Sequence, residues 1–158
     1  MMSPYYLLIL LIIGIDQLSK HFVSAAMQHG QTIPIISNIF HITFVRNTGA
    51  AFGILPGNTT LLIAVGAIAA LFIIYTMHFI PKDKYFYKIG LSLVLAGSIG
   101  NIIDRVYRGY VVDMFDFRFF PVFNVADMMI NVGMAIVIVA FLLLRRPAGA
   151  SLQKRTED

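Results

Sequence analysis

The sequence predicts an all-α polytopic membrane protein, with four transmembrane helices and a small extracytoplasmic β-sheet. Three features lead there. Of 158 residues, 58% are hydrophobic and only 13% are charged, with a mean hydropathy of +0.80. A soluble domain carries about 25% charged residues, so this little charge cannot cover a water-facing surface. Four stretches approach the roughly 20 apolar residues that a spanning helix needs. The basic residues cluster at places that fall on one side of a four-span chain.

The first span is expected at 4–26, interrupted by Asp16, Gln17 and Lys20. A cleaved signal peptide is the competing reading, because "VSAAM" is a tolerable cleavage site. The absence of a basic n-region, and Asp16 and Lys20 following at once, argue against it. Residues 59–80 form the cleanest span. Residues 86–103 form a shorter one, rich in small residues such as Gly90, Ala96, Gly97 and Gly100. The fourth, 125–144, carries Asp127 and Asn131 near its start.

Lys82, Lys84 and Lys88 lie between spans two and three, and Arg145, Arg146, Lys154 and Arg155 follow span four. The positive-inside rule puts both places, and with them both termini, in the cytoplasm. A single membrane domain is expected over 1–146, followed by a polar, disordered cytoplasmic tail at 147–158. Phe40, Ile42 and Phe44 alternate with His41, Thr43 and Val45, a period of two that predicts a strand. An extracytoplasmic sheet region is therefore expected within 31–57, with "RNTG" as a turn. The other external connection, 105–122, is aromatic-rich and suits the membrane interface.

Several classes are excluded or disfavoured. Without cysteine there is no disulfide, thiolate nucleophile or cysteine metal site. His21, His29, His41 and His78 show no ligand spacing, so no metal or other cofactor is expected. The net charge of +4 reads as topology, and no basic patch with exposed aromatics suggests nucleic acid.

The polar residues within the spans need a reason. Asp16 and Lys20 stand four apart in the favourable order for a helical ion pair, and a structural pair is the plain reading. Asn101, Asp104 and Arg105 share one helix face with Gly97, where Asp104 and Arg105 alone suggest an interfacial charge pair. Asn124, Asp127 and Asn131 align on one stripe of an apolar helix and are expected to point into the bundle. A hydrogen-bonded clamp there needs only neutral side chains. A carboxylic acid is costlier, about 2.5–3.5 kcal/mol at mid-membrane and less near the edge, which favours a functional acid. Asp116 reads as a solvated loop carboxylate. For Asp113, between Val112 and Met114, burial and solvation are equally compatible with the sequence.

Taken together these motifs resemble the bacterial lipoprotein signal peptidases (signal peptidase II). "DQLSK" (16–20), "NTGAAF" (47–52), "GNIIDR" (100–105), "VVDM" (111–114) and "FNVAD" (123–127) are similar to that family's motifs in order. Each is weak alone, and the five on four spans are specific. The resemblance implies an intramembrane aspartic endopeptidase that needs no metal, with Asp113 and Asp127 as catalytic dyad. It implies that Asp16, Lys20, Asn47, Gly49, Asn101, Asp104, Arg105 and Asn124 shape or support the site. It also implies a short interfacial helix beside the sheet. The implied substrates are lipid-modified prolipoproteins, cut before a diacylglyceryl cysteine in the bacterial inner membrane with the site toward the outer face, and membrane lipid is the other partner. A monomer is expected. Met114 and Arg46 depart from the family pattern, which bears on substrate fit and removes no catalytic group.

A small ion-coupled carrier is the alternative class, since intramembrane acids also mark ion paths. Carriers of that kind show repeated halves, and none is visible here. A purely structural subunit leaves the aligned face of Asp127 unexplained.

Overall fold

The computed structural model describes residues 4–49 and 56–144. Among these are four helices long and apolar enough to cross a membrane. They are α1 (Pro4–Ala26), α2 (Thr59–Phe79), α3 (Tyr85–Arg108) and α4 (Val125–Leu144), with strands β1 (Thr32–Ile36), β2 (Phe40–Asn47) and β3 (Val111–Asp116). At 1.5 Å per residue, α4 is about 30 Å long, the thickness of a bilayer's hydrocarbon core.

Helix α3 is the hub, with α1, α2 and α4 all packed against it. Its small residues explain this. A Cβ at Gly97 would collide with the carbonyl of Ala126, and one at Gly133 would lie 2.6 Å from the Gly90 oxygen. Such bare backbone lets α3 and α4 touch closely, as small residues do between membrane helices. The outward faces carry exposed apolar side chains such as Leu7, Phe22, Ile68, Phe72 and Leu142, the surface a bilayer would cover.

Local signals set the ends. Helix α3 stops at Gly109, whose φ of 78° is left-handed and whose N–H bonds to the Arg105 carbonyl. That reversal leads directly into β3. Helix α4 starts with a capping box. Asn124 Oδ1 accepts the Asp127 N–H at 2.9 Å, and the Asn124 N–H donates to Asp127 Oδ2 at 3.3 Å.

The strands form one antiparallel sheet in the order β1-β2-β3. Val45 lies opposite Asp113 and Asn47 opposite Val111. A register shift between Ile42 and Val45 interrupts the simple alternation expected for 40–45. Consecutive Thr43 and Phe44 are consequently both buried. One sheet face packs Phe44, Val112 and Met114 against Met27, while Val45, Asn47 and Asp113 line a cleft.

The structure corrects several sequence expectations. Helix α3 continues past residue 103 to Arg108, and 105–122 holds the end of α3 and the strand β3 rather than a helix. The aromatic content of this stretch obscured its alternation. Asp116 is not solvated: it is 5% exposed and accepts bonds from the Thr43 hydroxyl and from Arg118. Burial opposes its charge, yet the Arg118 amide, Thr43 and the Arg118 guanidinium hold its pKa below the ordinary carboxylate range. Asn131 is exposed rather than buried in the bundle: it bonds back to the Asp127 carbonyl and lines the open cleft beside that residue. Residues 50–52 of "NTGAAF", the basic residues from Arg145 onward and the tail at 147–158 lie outside the described residues.

Candidate active site

The site is assembled at the end of the bundle where α1 and α3 finish and α4 begins. Its base is Lys20, fully buried on α1 together with Asp16 one turn earlier. Lys20 Nζ meets Asp16 Oδ2 at 2.9 Å, Asp104 Oδ2 at 3.2 Å and Asn101 Oδ1 at 3.0 Å. An ammonium has three donors, and all three are used. Arg108 pairs with the other oxygen of Asp104, so two acids are matched by two cations. Gln17 closes the network by donating to Asp16, to Asp104 and to the Gly100 carbonyl. A Cβ at Gly100 would come 2.5 Å from Asp16 Oδ2, so glycine there is a condition of the fit.

Each braced carboxylate also holds one backbone amide. Asp16 Oδ1 accepts the Ala126 N–H at 2.9 Å, and Asp104 Oδ2 accepts the Val112 N–H at 3.0 Å. Ala126 immediately precedes Asp127, and Val112 immediately precedes Asp113. One buried lysine thereby ties together the backbone beside both candidate catalytic acids.

Asp113 points from β3 into the cleft and is 1% exposed. Its two oxygens accept from Asn47 Nδ2 at 2.9 Å and Asn124 Nδ2 at 2.7 Å. Burial, reinforced by the charge of Asp127, pushes its pKa up to about 7 against the pull of those two amides. Asp127 lines the same cleft. Its Oδ1 accepts from Asn101 Nδ2 at 2.8 Å, and Asn101 Oδ1 in turn receives Asn124 Nδ2 at 3.3 Å. Asn47 is fixed by donating to Asp113 while its Oδ1 accepts the Gly49 N–H at 2.9 Å. Arg105 Nη2 donates to the Gly49 carbonyl at 2.8 Å, anchoring this turn to α3.

The cleft, about 1480 Å³, runs from the sheet down between α2 and α4, with α3 as floor. Leu62, Val65 and Gly66 form one wall and Met128, Ile130 and Val132 the other. Its charged groups, Arg46, Arg105, Asp113 and Asp127, lie toward the sheet end, where Phe40, Phe115, Phe117 and Phe120 also line it, and the walls between the helices are mainly apolar. A chain with an apolar helix and a polar junction fits that gradient. Among the described residues, no group of three His, Asp or Glu side chains stands together as a metal site.

The ten residues that the family resemblance assigned to the site all fall in this one region. The ion pair read for Asp16 and Lys20 is present, and it extends to Asp104 rather than remaining local. Asp104 pairs with Lys20 and Arg108, not with Arg105. Gln17 and Arg108 were missed, as was the capping box. The box was legible in "NVAD", which places an acid three residues after an asparagine.

The fold and the site define a polytopic membrane protein with paired carboxylates at one end of its bundle. The chain belongs to the signal peptidase II family, whose model, described as Signal peptidase (SPase) II, matches residues 8–143. It is 42% identical to a lipoprotein signal peptidase of Moorella thermoacetica, covering 92% of this chain and 95% of that one. It is 44% identical to one of Clostridioides difficile, covering 87% and 94%. A solved bacterial membrane enzyme, determined by the in meso method at 2.3 Å, matches with a TM-score of 0.81 and 34% identity, covering 89% of this chain and 88% of that one.

Proposed function

We propose that this chain removes signal peptides from prolipoproteins, cutting before a diacylglyceryl-modified cysteine by hydrolysis at Asp113 and Asp127. The observation that carries this reading is Asn124. Its side-chain Nδ2 donates to Asp113, while its Oδ1 accepts the Asp127 N–H and its backbone N–H donates to Asp127 Oδ2. One residue therefore holds both acids, each open to the same cleft.

In this reading the raised pKa of Asp113 keeps a proton on the pair near neutral pH. Two such acids share a proton and titrate as a unit. Asp127 takes a proton from water as the water oxygen attacks the scissile carbonyl carbon. Asp113 hydrogen-bonds to the carbonyl oxygen and delivers its proton there, giving a neutral diol. Breaking the C–N bond requires a proton on the leaving amine, which Asp127 returns, and Asp113 recovers its own as the carbonyl reforms.

The apolar cleft would take the signal helix, with the polar junction at the dyad. The basic α2–α3 turn is assigned to the cytoplasm and the sheet and dyad to the outer face of the inner membrane. All the groups invoked come from one chain, so a monomer suffices. The lipid's role is positional. Acyl chains already in hydrocarbon add little affinity, but they fix the cysteine at one depth and raise the effective concentration of the adjacent bond. The test is to give the purified protein matched precursors with and without diacylglyceryl. Cleavage of the lipidated form alone is expected. Equal cleavage of both would remove the lipid from the recognition step.

A further inference from the structure

A second hollow lies at the opposite end of the bundle from the dyad. Below the close contact of Gly90 with Gly133, the first turn of α3 and the last turns of α4 leave a groove of about 510 Å³. That volume is within the range of sites for small ligands. Its α4 wall is the stripe Ala135, Ile136, Val139, Ala140 and Leu143, and its α3 wall is Tyr85 to Tyr87. The two alanines, too small to fill the space, make the hollow. Tyr85 is 52% exposed and Val139 54%, so the groove opens sideways, toward lipid in a membrane-spanning chain.

Its rim is not apolar. Lys84 lines the groove with Asp83, the two side chains pairing at 3.3 Å while remaining partly exposed. Lys82 is exposed just before them, and Lys88 lies one turn on, over the ring of Tyr5. At the rim, Lys84 and the neighbouring Lys82 against Asp83 leave one excess positive charge beside a slot lined with hydrocarbon, while Lys88 is turned toward Tyr5 on α1. A ligand that complements both parts has an apolar chain and an anionic head.

We propose that this groove binds an anionic phospholipid of the surrounding leaflet, its acyl chain along Ala135–Leu143 and its phosphate at Lys84 and Lys82. A juxtamembrane Lys or Arg attracts anionic lipid, and the groove adds a fixed seat to that diffuse attraction. The inference rests on the membrane-spanning reading of α3 and α4 and is independent of the cleavage chemistry about a bilayer's thickness away.

The chain contains no tryptophan, which gives a clean probe. Val139→Trp places a fluorophore in the groove, and Phe72→Trp places one on α2 at a side chain that is 68% exposed. Each full-length variant is reconstituted with either brominated phosphatidylglycerol or brominated phosphatidylcholine at increasing mole fraction. The groove probe is expected to reach half-quenching at a several-fold lower fraction of phosphatidylglycerol than of phosphatidylcholine, with no such preference at position 72. Adding Lys82→Gln and Lys84→Gln should abolish the preference without moving the phosphatidylcholine curve. Identical curves for the two lipids at position 139, or a preference that survives the double substitution, would overturn the proposal.

Discussion

The side-chain amide of Asn124 donates to Asp113 Oδ1 at 2.7 Å, while the same residue caps the helix that carries Asp127. An asparagine is needed for this. Its nitrogen serves one acid and its oxygen the backbone of the other. Asn124→Ala loses both, and the lost cap alone costs about 1 kcal/mol. Displacing either acid by an ångström costs about 10²-fold in rate. The expected result is a kcat lowered about 10²-fold with a small drop in Tm. Asn124→Asp keeps the cap acceptor, but it loses the donor to Asp113 and buries a third carboxylate beside the pair, so both Tm and kcat stay low. Steady-state kinetics and thermal melts of both variants check this.

The pH dependence has a definite sign. Asp113 moves from an ordinary 3.8 to about 7, so its proton is lost as pH rises through about 7. Activity that needs that proton falls on the alkaline side, with log(kcat/KM) descending above pH 7. Stability follows the same direction. The folded state holds this proton more tightly than the unfolded state, so the stabilisation is present below 3.8 and is lost as pH rises to about 7. The Tm difference between Asp113→Asn and the parent should therefore grow in favour of the variant across that window and then level off. A flat difference would contradict the burial and charge effects assigned to Asp113.

Lys20 is the point on which the brace depends. Lys20→Met leaves Asp16 and Asp104 buried without their shared cation, and breaking a buried pair in this way costs about 3–5 kcal/mol. Greatly reduced accumulation in membranes is expected. Asp104→Asn is milder, because a neutral oxygen still accepts from the Val112 N–H. Membrane levels should stay within about half of the parent, with kcat reduced. The comparison is made by immunoblot and by cleavage per folded molecule.

The sequence exposed the spans because each is long and apolar, and α1 and α4 were read at the bounds the structure gives. It exposed the site because costly charges in apolar helices demand a reason. The network itself was hidden. Lys20 and Asp104 are far apart in sequence, and periodicity on one helix cannot report a partner on another. Strand β3 was hidden for a related reason. Val111–Asp116 is buried on both faces, by Met27 and Phe44 on one side and the cleft on the other, so its polar and apolar residues do not sort by exposure. Asp116 looked solvated because its partner Thr43 is on a different strand.

Orientation follows from the basic residues and is open to direct test. Reporter fusions at Lys84 and after Arg146 should read cytoplasmic, and fusions within 31–38 or near Arg118 should read external. An external signal at Lys84 would overturn the four-span orientation and move the dyad to the inner face.

The central claim is that Asp113 and Asp127 together activate water. It is tested most directly by single-turnover cleavage of a lipidated precursor by purified Asp113→Asn and Asp127→Asn, beside Asp116→Asn as an acid outside the pair. Both dyad variants should accumulate normally, bind precursor and release no signal peptide, while Asp116→Asn keeps substantial activity despite a lower Tm. Cleavage by either dyad variant at the parent rate would contradict the account.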